Sequence, residues 1–131
     1  MKENIITINS FPLLLKEIYK PPNQLFYKGK LKTLNKTCIA VVGTRKLSEY
    51  GEYITNKIIE ELSVLDIAIV SGLAKGIDTI AHKAALENNI PTIAVLGSGL
   101  DNIYPKQNLK LAKKIILNGI LLSEYEPNKD P

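Results

Sequence analysis

The sequence contains one cysteine, Cys38, one histidine and no tryptophan in 131 residues. A single cysteine cannot form an intramolecular disulfide, which excludes a disulfide-stapled secreted scaffold and favours a reducing compartment. With one cysteine and one histidine, the chain offers no Cys/His set suited to zinc. No window approaches the ~18 apolar residues of a transmembrane helix, and polar residues interrupt the N-terminus before it reaches signal-peptide length. We therefore expect a cytoplasmic protein that binds neither a metal nor a membrane.

Arginine is almost absent, because 16 of the 17 basic residues are lysine and the exception is Arg45. The formal net charge is +4, and residues 1–47 hold nine basic residues against two acidic ones. A basic chain permits a nucleic-acid or phosphate partner, but solvated lysines explain such a balance equally well. The position of the single arginine is therefore more informative than the lysine count.

Short β-rich runs alternate with amphipathic helices from Cys38 onward, a pattern typical of βαβ units around a parallel sheet. Residues 1–36 are predicted as an N-terminal accessory segment, and residues 37–131 as a Rossmann-like α/β domain. Right-handed crossovers predict the strand order 3-2-1-4, with the first strand inside the sheet and buried on both faces. The predicted strands cover residues 38–42, 67–70, 92–96 and 120–122, and the predicted helices start near Ser48, Gly76 and Lys106.

Glycine-containing loops follow the first three predicted strands, and in an open α/β sheet such loops meet at the ligand-binding edge. Free backbone amides, helix N-termini and the cations Arg45 and Lys75 would together form an anion site. Each glycine taken alone is equally consistent with simple turn geometry. Asp78 is expected to cap its helix or orient a basic neighbour, and His82 to be a packed, hydrogen-bonded histidine. The candidate site residues in these loops are Gly43, Thr44, Arg45, Ser71, Gly72, Lys75, Gly97 and Ser98.

Three ordered blocks make the sequence closely similar to the DprA/Smf family of DNA-processing proteins. They are Val42-Gly43-Thr44-Arg45, Ser71-Gly72-Leu73-Ala74-Lys75-Gly76-Ile77-Asp78-x-x-Ala81-His82, and Leu96-Gly97-Ser98-Gly99-Leu100-Asp101-x-x-Tyr104-Pro105-x-x-Asn108. The resemblance implies a protein without catalytic activity or cofactor that binds single-stranded DNA and delivers it to the RecA recombinase in natural transformation. It places Arg45 and Lys75 in a basic DNA-binding pocket. Tyr104 would either stack on a base or pack against Pro105.

The chain departs from the family pattern by ending at Pro131, before a further conserved stretch of that family. We therefore expect a C-terminally truncated domain with an incomplete sheet, in which the strand at residues 120–122 is an unpaired edge. In the family, that stretch helps to complete the sheet and the homodimer surface. Two alternatives use the same anion site: a phosphoribohydrolase-like enzyme and a small-nucleotide sensor. The first is disfavoured because no Gly-Gly-x-Gly-Thr-x-x-Glu pattern occurs in the sequence.

Overall fold

The alternating pattern of the sequence does fold into an α/β structure in the computed structural model, which describes residues 4–131. The strands are β1 Asn4–Thr7, β2 Gln24–Gly29, β3 Thr37–Ala40, β4 Ile67–Ser71, β5 Thr92–Val95 and β6 Ile120–Ser123. The helices are α1 Leu13–Lys16, α2 Glu49–Leu62, α3 Ile77–Glu87 and α4 Leu109–Asn118. Short 3-10 turns lie at Ile8–Ser10, Leu31–Asn35 and Lys106–Asn108. Ser48 caps α2, because its hydroxyl accepts a hydrogen bond from the Gly51 amide at 2.9 Å.

All six strands form one mixed sheet in the order β1-β2-β6-β5-β4-β3. Strands β3 to β6 are parallel, and the register places Ile39 opposite Ile69 and Ala94 opposite Leu121. Strand β2 pairs antiparallel with both β1 and β6. The boundary predicted after residue 36 stays a prediction, but strands from both sides of it share this sheet.

The predicted strand order 3-2-1-4 is wrong. The four parallel strands follow one another in chain order, so β3 lies at an edge and β6 lies inside, between β5 and β2. The physical reason lies on the far face of the sheet, where residues of the first 36 such as Ile6, Phe11 and Leu34 pack against β5 and β6. Because that face is covered, α2, α3 and α4 lie on the opposite face. Each right-handed crossover then adds the next strand on the same side of the previous one.

Two further expectations about strand edges are corrected by this order. The strand at residues 120–122 is not an unpaired edge, because β6 is hydrogen-bonded on both sides. The first predicted strand is not buried on both faces either, since β3 is an edge strand and the side chain of Val42 beyond it is 69% exposed. Cys38, at this edge, is exposed as well.

The core is divided by the sheet into two layers. On the helical side, Ile59 of α2 and Ala81 of α3 pack on Ile69, while Ile115 of α4 packs near Leu121. This packing holds α2, α3 and α4 across one face, so that the loops after β3, β4 and β5 open at the same edge.

Candidate nucleic-acid interface

A cavity of about 280 Å³ lies at the carboxyl edge of the parallel strands. It is lined by Arg45, Gly72, Ala74, Lys75, Gly97, Ser98, Tyr104 and Pro131. These residues come from the loops after β3, β4 and β5, as the sequence predicts, together with the end of the chain. We call this cavity the strand-end pocket.

The charge in the strand-end pocket comes from Arg45 and Lys75, whose side chains are both exposed. Within residues 4–131, neither forms an ion pair with a carboxylate. The lysines of residues 4–36 do not line the pocket, and two of them, Lys28 and Lys36, pair with Asp101 and Asp66. The basic excess at the front of the sequence is therefore not what charges the pocket.

Gly76 determines where Arg45 lies. Gly76 has φ +82°, and a Cβ atom there would overlap the carbonyl oxygen of Thr44 and lie 2.9 Å from the Arg45 Cα atom. The Thr44 carbonyl also accepts a hydrogen bond from the Ile77 amide at 3.1 Å. Gly43 also lies close to the start of α3, since a Cβ atom at Gly43 would lie 2.7 Å from Ile77 Cγ1. The loop after β3 is thus fitted directly against the N-terminus of α3.

Asp78 holds the loop after β4 from within. Its buried carboxylate accepts hydrogen bonds from the amides of Gly72 at 3.1 Å and Ala74 at 3.4 Å. Both amides are therefore already occupied, although the sequence suggested that strand-end amides would bind an anion. Arg45 and Lys75 are the charged side chains that line the pocket.

His82 is a buried structural histidine that supports the same loop. Its Nε2 accepts a hydrogen bond from the Leu73 amide at 3.2 Å, and its Nδ1 lies 2.7 Å from Thr92 Oγ1. Because the Thr92 hydroxyl donates to the Ile69 carbonyl, Nδ1 must carry the proton in a neutral ring. Leu73 has φ +61°, and Asn108 donates to its carbonyl at 2.9 Å. Buried polar contacts therefore fix an unusual backbone conformation beside the pocket.

The pH dependence of folding should report this role of His82. Burial lowers the pKa of His82 from 6.5 to about 4, and the nearby charge of Asp78 opposes that shift only in part. Below about pH 6.5, the unfolded chain therefore binds a proton at His82 that the folded chain does not bind until about pH 4. The contribution of neutral His82 to the free energy of unfolding is thus complete above pH 6.5 and is lost as pH falls toward 4. We expect the loss to reach up to about 3 kcal/mol, at ~1.4 kcal/mol per pH unit. Urea unfolding at a series of pH values measures it.

His82→Gln provides the control for this prediction. The variant should be less stable than the original chain at pH 7, because a flexible amide side chain replaces the rigid imidazole that bridges the Leu73 amide and the Thr92 hydroxyl. Between pH 6.5 and pH 4 it should lose less additional stability, since the titrating ring is gone. Parallel pH profiles for the two proteins would mean that folding does not lower the pKa of His82, and would contradict the prediction.

The remaining predicted site residues occupy different positions. Ser71 is buried, and its hydroxyl has no hydrogen-bond partner among the described residues. Ser98 lines the pocket, but its hydroxyl donates to the Asn102 carbonyl at 2.7 Å. Tyr104 lines the pocket and is 55% exposed. The Thr44 carbonyl accepts the hydrogen bond from the Ile77 amide, and the Thr44 hydroxyl accepts one from the Lys46 amide.

Sequence reasoning assigned no role to Asn108 or to the end of the chain. Asn108 is buried, and its side chain joins the segment before α4 to the loop after β4. The one sequence feature that marked Asn108 is its position in the third block that resembles the family. Pro131 reaches the pocket because the preceding residues pack on the loop after β5, where the Gly99 amide donates to the Lys129 carbonyl at 2.8 Å. No sequence pattern indicated that packing.

Comparisons with known proteins confirm the resemblance seen in the motifs. A sequence profile of the family described as DNA recombination-mediator protein A matches residues 4–131. The chain is 50% identical over 121 residues to the DNA processing protein DprA of Streptococcus pneumoniae, and 42% identical over 131 residues to that of Bacillus subtilis. These alignments cover 92% and 98% of this chain but 43% and 44% of the relatives. The chain thus spans less than half the length of both relatives.

Two solved structures share the fold. The X-ray structure of DprA from Streptococcus pneumoniae superposes with a TM-score of 0.94 at 47% identity, covering 99% of this chain and 46% of that one. DprA from Helicobacter pylori superposes with a TM-score of 0.89 at 34% identity, covering 99% of this chain and 59% of that one. The latter structure is described as giving insight into a single-stranded DNA binding mode. No helix within residues 4–131 is long and apolar enough to span a membrane.

Proposed function

Because the chain belongs to the family of DNA recombination-mediator protein A, we propose that its strand-end pocket binds the phosphate backbone of single-stranded DNA. One observation carries the proposal: Arg45 and Lys75, both without an ion-pair partner among the described residues, converge with the exposed ring of Tyr104 on one cavity. The single-stranded DNA binding ascribed to the Helicobacter pylori relative supports it.

Each of the three side chains has a different physical role in this proposal. The planar guanidinium of Arg45 can donate two parallel hydrogen bonds to one phosphate, whereas Lys75 acts as a compact point charge on the next. Tyr104 offers a stacking surface that any base can use. Small residues form the rest of the lining, so few groups could recognise base edges. We therefore expect binding with little sequence preference.

The proposal includes no bond-making step. Among the pocket-lining residues there is no Asp, Glu, His or Cys side chain to serve as a general base or nucleophile. By analogy with the family, the complete protein would act in the cytoplasm, deliver single-stranded DNA to RecA during natural transformation and recombination, and pair with a second copy of itself. It would need no cofactor for this role.

A binding titration at fixed salt tests the proposal. It compares oligo-dT, a duplex of equal length and mononucleotides as ligands for the 131-residue chain. We expect oligo-dT to bind most tightly, because only a flexible single strand can place phosphates on both cations while a base reaches Tyr104. Tightest binding of a mononucleotide would favour a nucleotide sensor instead, and tightest binding of the duplex would contradict the single-strand proposal.

A further inference from the structure

The helical face of the sheet carries two cavities of opposite charge. The cavity between α2 and α3, of about 490 Å³, is lined by the acidic residues Glu52, Glu60 and Glu87 with one lysine. The cavity between α3 and α4, of about 430 Å³, is lined by Lys83, Lys110 and Lys114, and Glu87 is its one acidic residue. We call the second cavity the α3–α4 groove. Lys83 and Glu87 line both cavities, so the opposite signs come from Glu52 and Glu60 in the first and from Lys110 and Lys114 in the second.

The positive sign of the α3–α4 groove comes from a concentrated set of lysines. Residues 106–118 hold four lysines and no acidic residue, although residues 48–131 as a whole contain more acidic than basic residues. Lys83, Lys110 and Lys114 are exposed. In the described part of the chain none of the three forms an ion pair, not even with Glu87 in the same groove. Their charge is therefore available to an outside partner.

The α3–α4 groove adjoins the strand-end pocket through one short segment. Tyr104 lines the pocket, while Gln107 and Asn108, three and four residues later, line the groove. Asn108 also donates to the Leu73 carbonyl, in the loop that brings Lys75 to the pocket. Residues 104–108 therefore connect the two cavities, and a chain that leaves the pocket past Tyr104 would meet the lysines of the groove next.

We propose that a DNA strand held in the strand-end pocket continues along the α3–α4 groove, where Lys83, Lys110 and Lys114 contact its phosphates. This inference rests on the proposed function and extends it to a longer binding path. Lys110 and Lys114 are four residues apart on α4, about 6 Å along the axis, which suits successive phosphates of an extended strand. The acidic groove between α2 and α3 repels the same strand and so sets its direction.

Oligonucleotide length provides the test. The triple variant Lys83→Gln, Lys110→Gln, Lys114→Gln is compared with the original chain on oligo-dT of about 6 and about 20 nucleotides, chosen against single-strand site sizes of roughly 4–16 nucleotides. We expect the variant to lose affinity for the long oligonucleotide by on the order of tenfold, and for the short one by less than about twofold. Its salt slope on the long oligonucleotide should be shallower by about 2, at ~0.7 per lost contact.

A matched control removes the same charge elsewhere. Lys20→Gln, Lys30→Gln, Lys32→Gln changes three N-terminal lysines that line neither cavity. We expect this control to bind both oligonucleotides nearly as the original chain does. Equal losses in the two triple variants, equal losses on both lengths, or unchanged binding of the long oligonucleotide would overturn the proposed path. If the original chain bound neither oligonucleotide, the proposed function itself would fail, so the two failures are distinguishable.

Discussion

Gly76→Ala is expected to lower the free energy of unfolding by on the order of 3 kcal/mol and to abolish most DNA binding. The backbone at Gly76 has φ +82°, and an added Cβ would overlap the Thr44 carbonyl oxygen. The obstructing atoms belong to the backbone, so they cannot turn aside as a flexible side chain would. Relief requires the loop that carries Arg45 to move. Urea unfolding and oligo-dT titration of the same protein measure both effects.

Gly97→Ala is the matched control for Gly76→Ala. Gly97 lines the strand-end pocket itself, but a Cβ atom there would meet no other atom within 4 Å. Its stability should therefore stay within about 0.5 kcal/mol of the original chain. If both alanine variants unfolded at the same urea concentration as the original chain, the close fit between Gly76 and the Arg45 loop would be refuted.

Arg45→Ala is expected to weaken binding of single-stranded DNA by about 1.5–3 kcal/mol, which is roughly 10- to 150-fold in the dissociation constant. The loss is that of a charge-assisted contact to phosphate. Folding should be unaffected, because the Arg45 side chain is exposed and has no ion-pair partner among the described residues. Titration with oligo-dT at low, fixed salt gives the dissociation constants.

Lys30→Ala and Arg45→Lys are the control variants for Arg45→Ala. Lys30 is an exposed lysine outside the pocket, and its removal should weaken binding far less. Arg45→Lys keeps the charge but loses the planar fork, so an intermediate affinity is expected. Similar losses for Arg45→Ala and Lys30→Ala would instead indicate diffuse attraction to the whole basic chain.

The four parallel strands and helices α2, α3 and α4 were accessible from sequence because each depends on local periodicity, whereas β1 was not predicted. The apolar runs at residues 67–70 and 92–96 correspond to β4 and β5, and the Ser48 cap was visible as a polar residue before an amphipathic helix. Strand order was not accessible in this way. It depends on which face of the sheet is already covered. That cover comes from residues such as Phe11 and Leu34, whose packing on the sheet no local pattern indicates.

The sequence predicted part of the candidate site, as it predicted part of the fold. The parallel strands required Arg45 and Lys75 to follow neighbouring strand ends, and the structure brings both to one cavity. The sequence could not show that Asp78 already occupies two loop amides, or that Asn108 reaches the Leu73 carbonyl, 35 residues earlier in the chain. Such contacts depend on tertiary packing, on which side-chain spacing in the sequence gives no information.

The salt dependence of binding to an oligo-dT of about 6 nucleotides shows whether the strand-end pocket binds phosphates, since phosphate contacts release counterions. With two to four phosphates neutralised in the strand-end pocket, the log–log slope should be roughly −1.4 to −2.8, at about −0.7 per contact. The double variant Arg45→Ala, Lys75→Ala should bind with a slope shallower by about 1.4. A slope near zero for the original chain, or an unchanged slope in the double variant, would contradict phosphate binding by these two side chains.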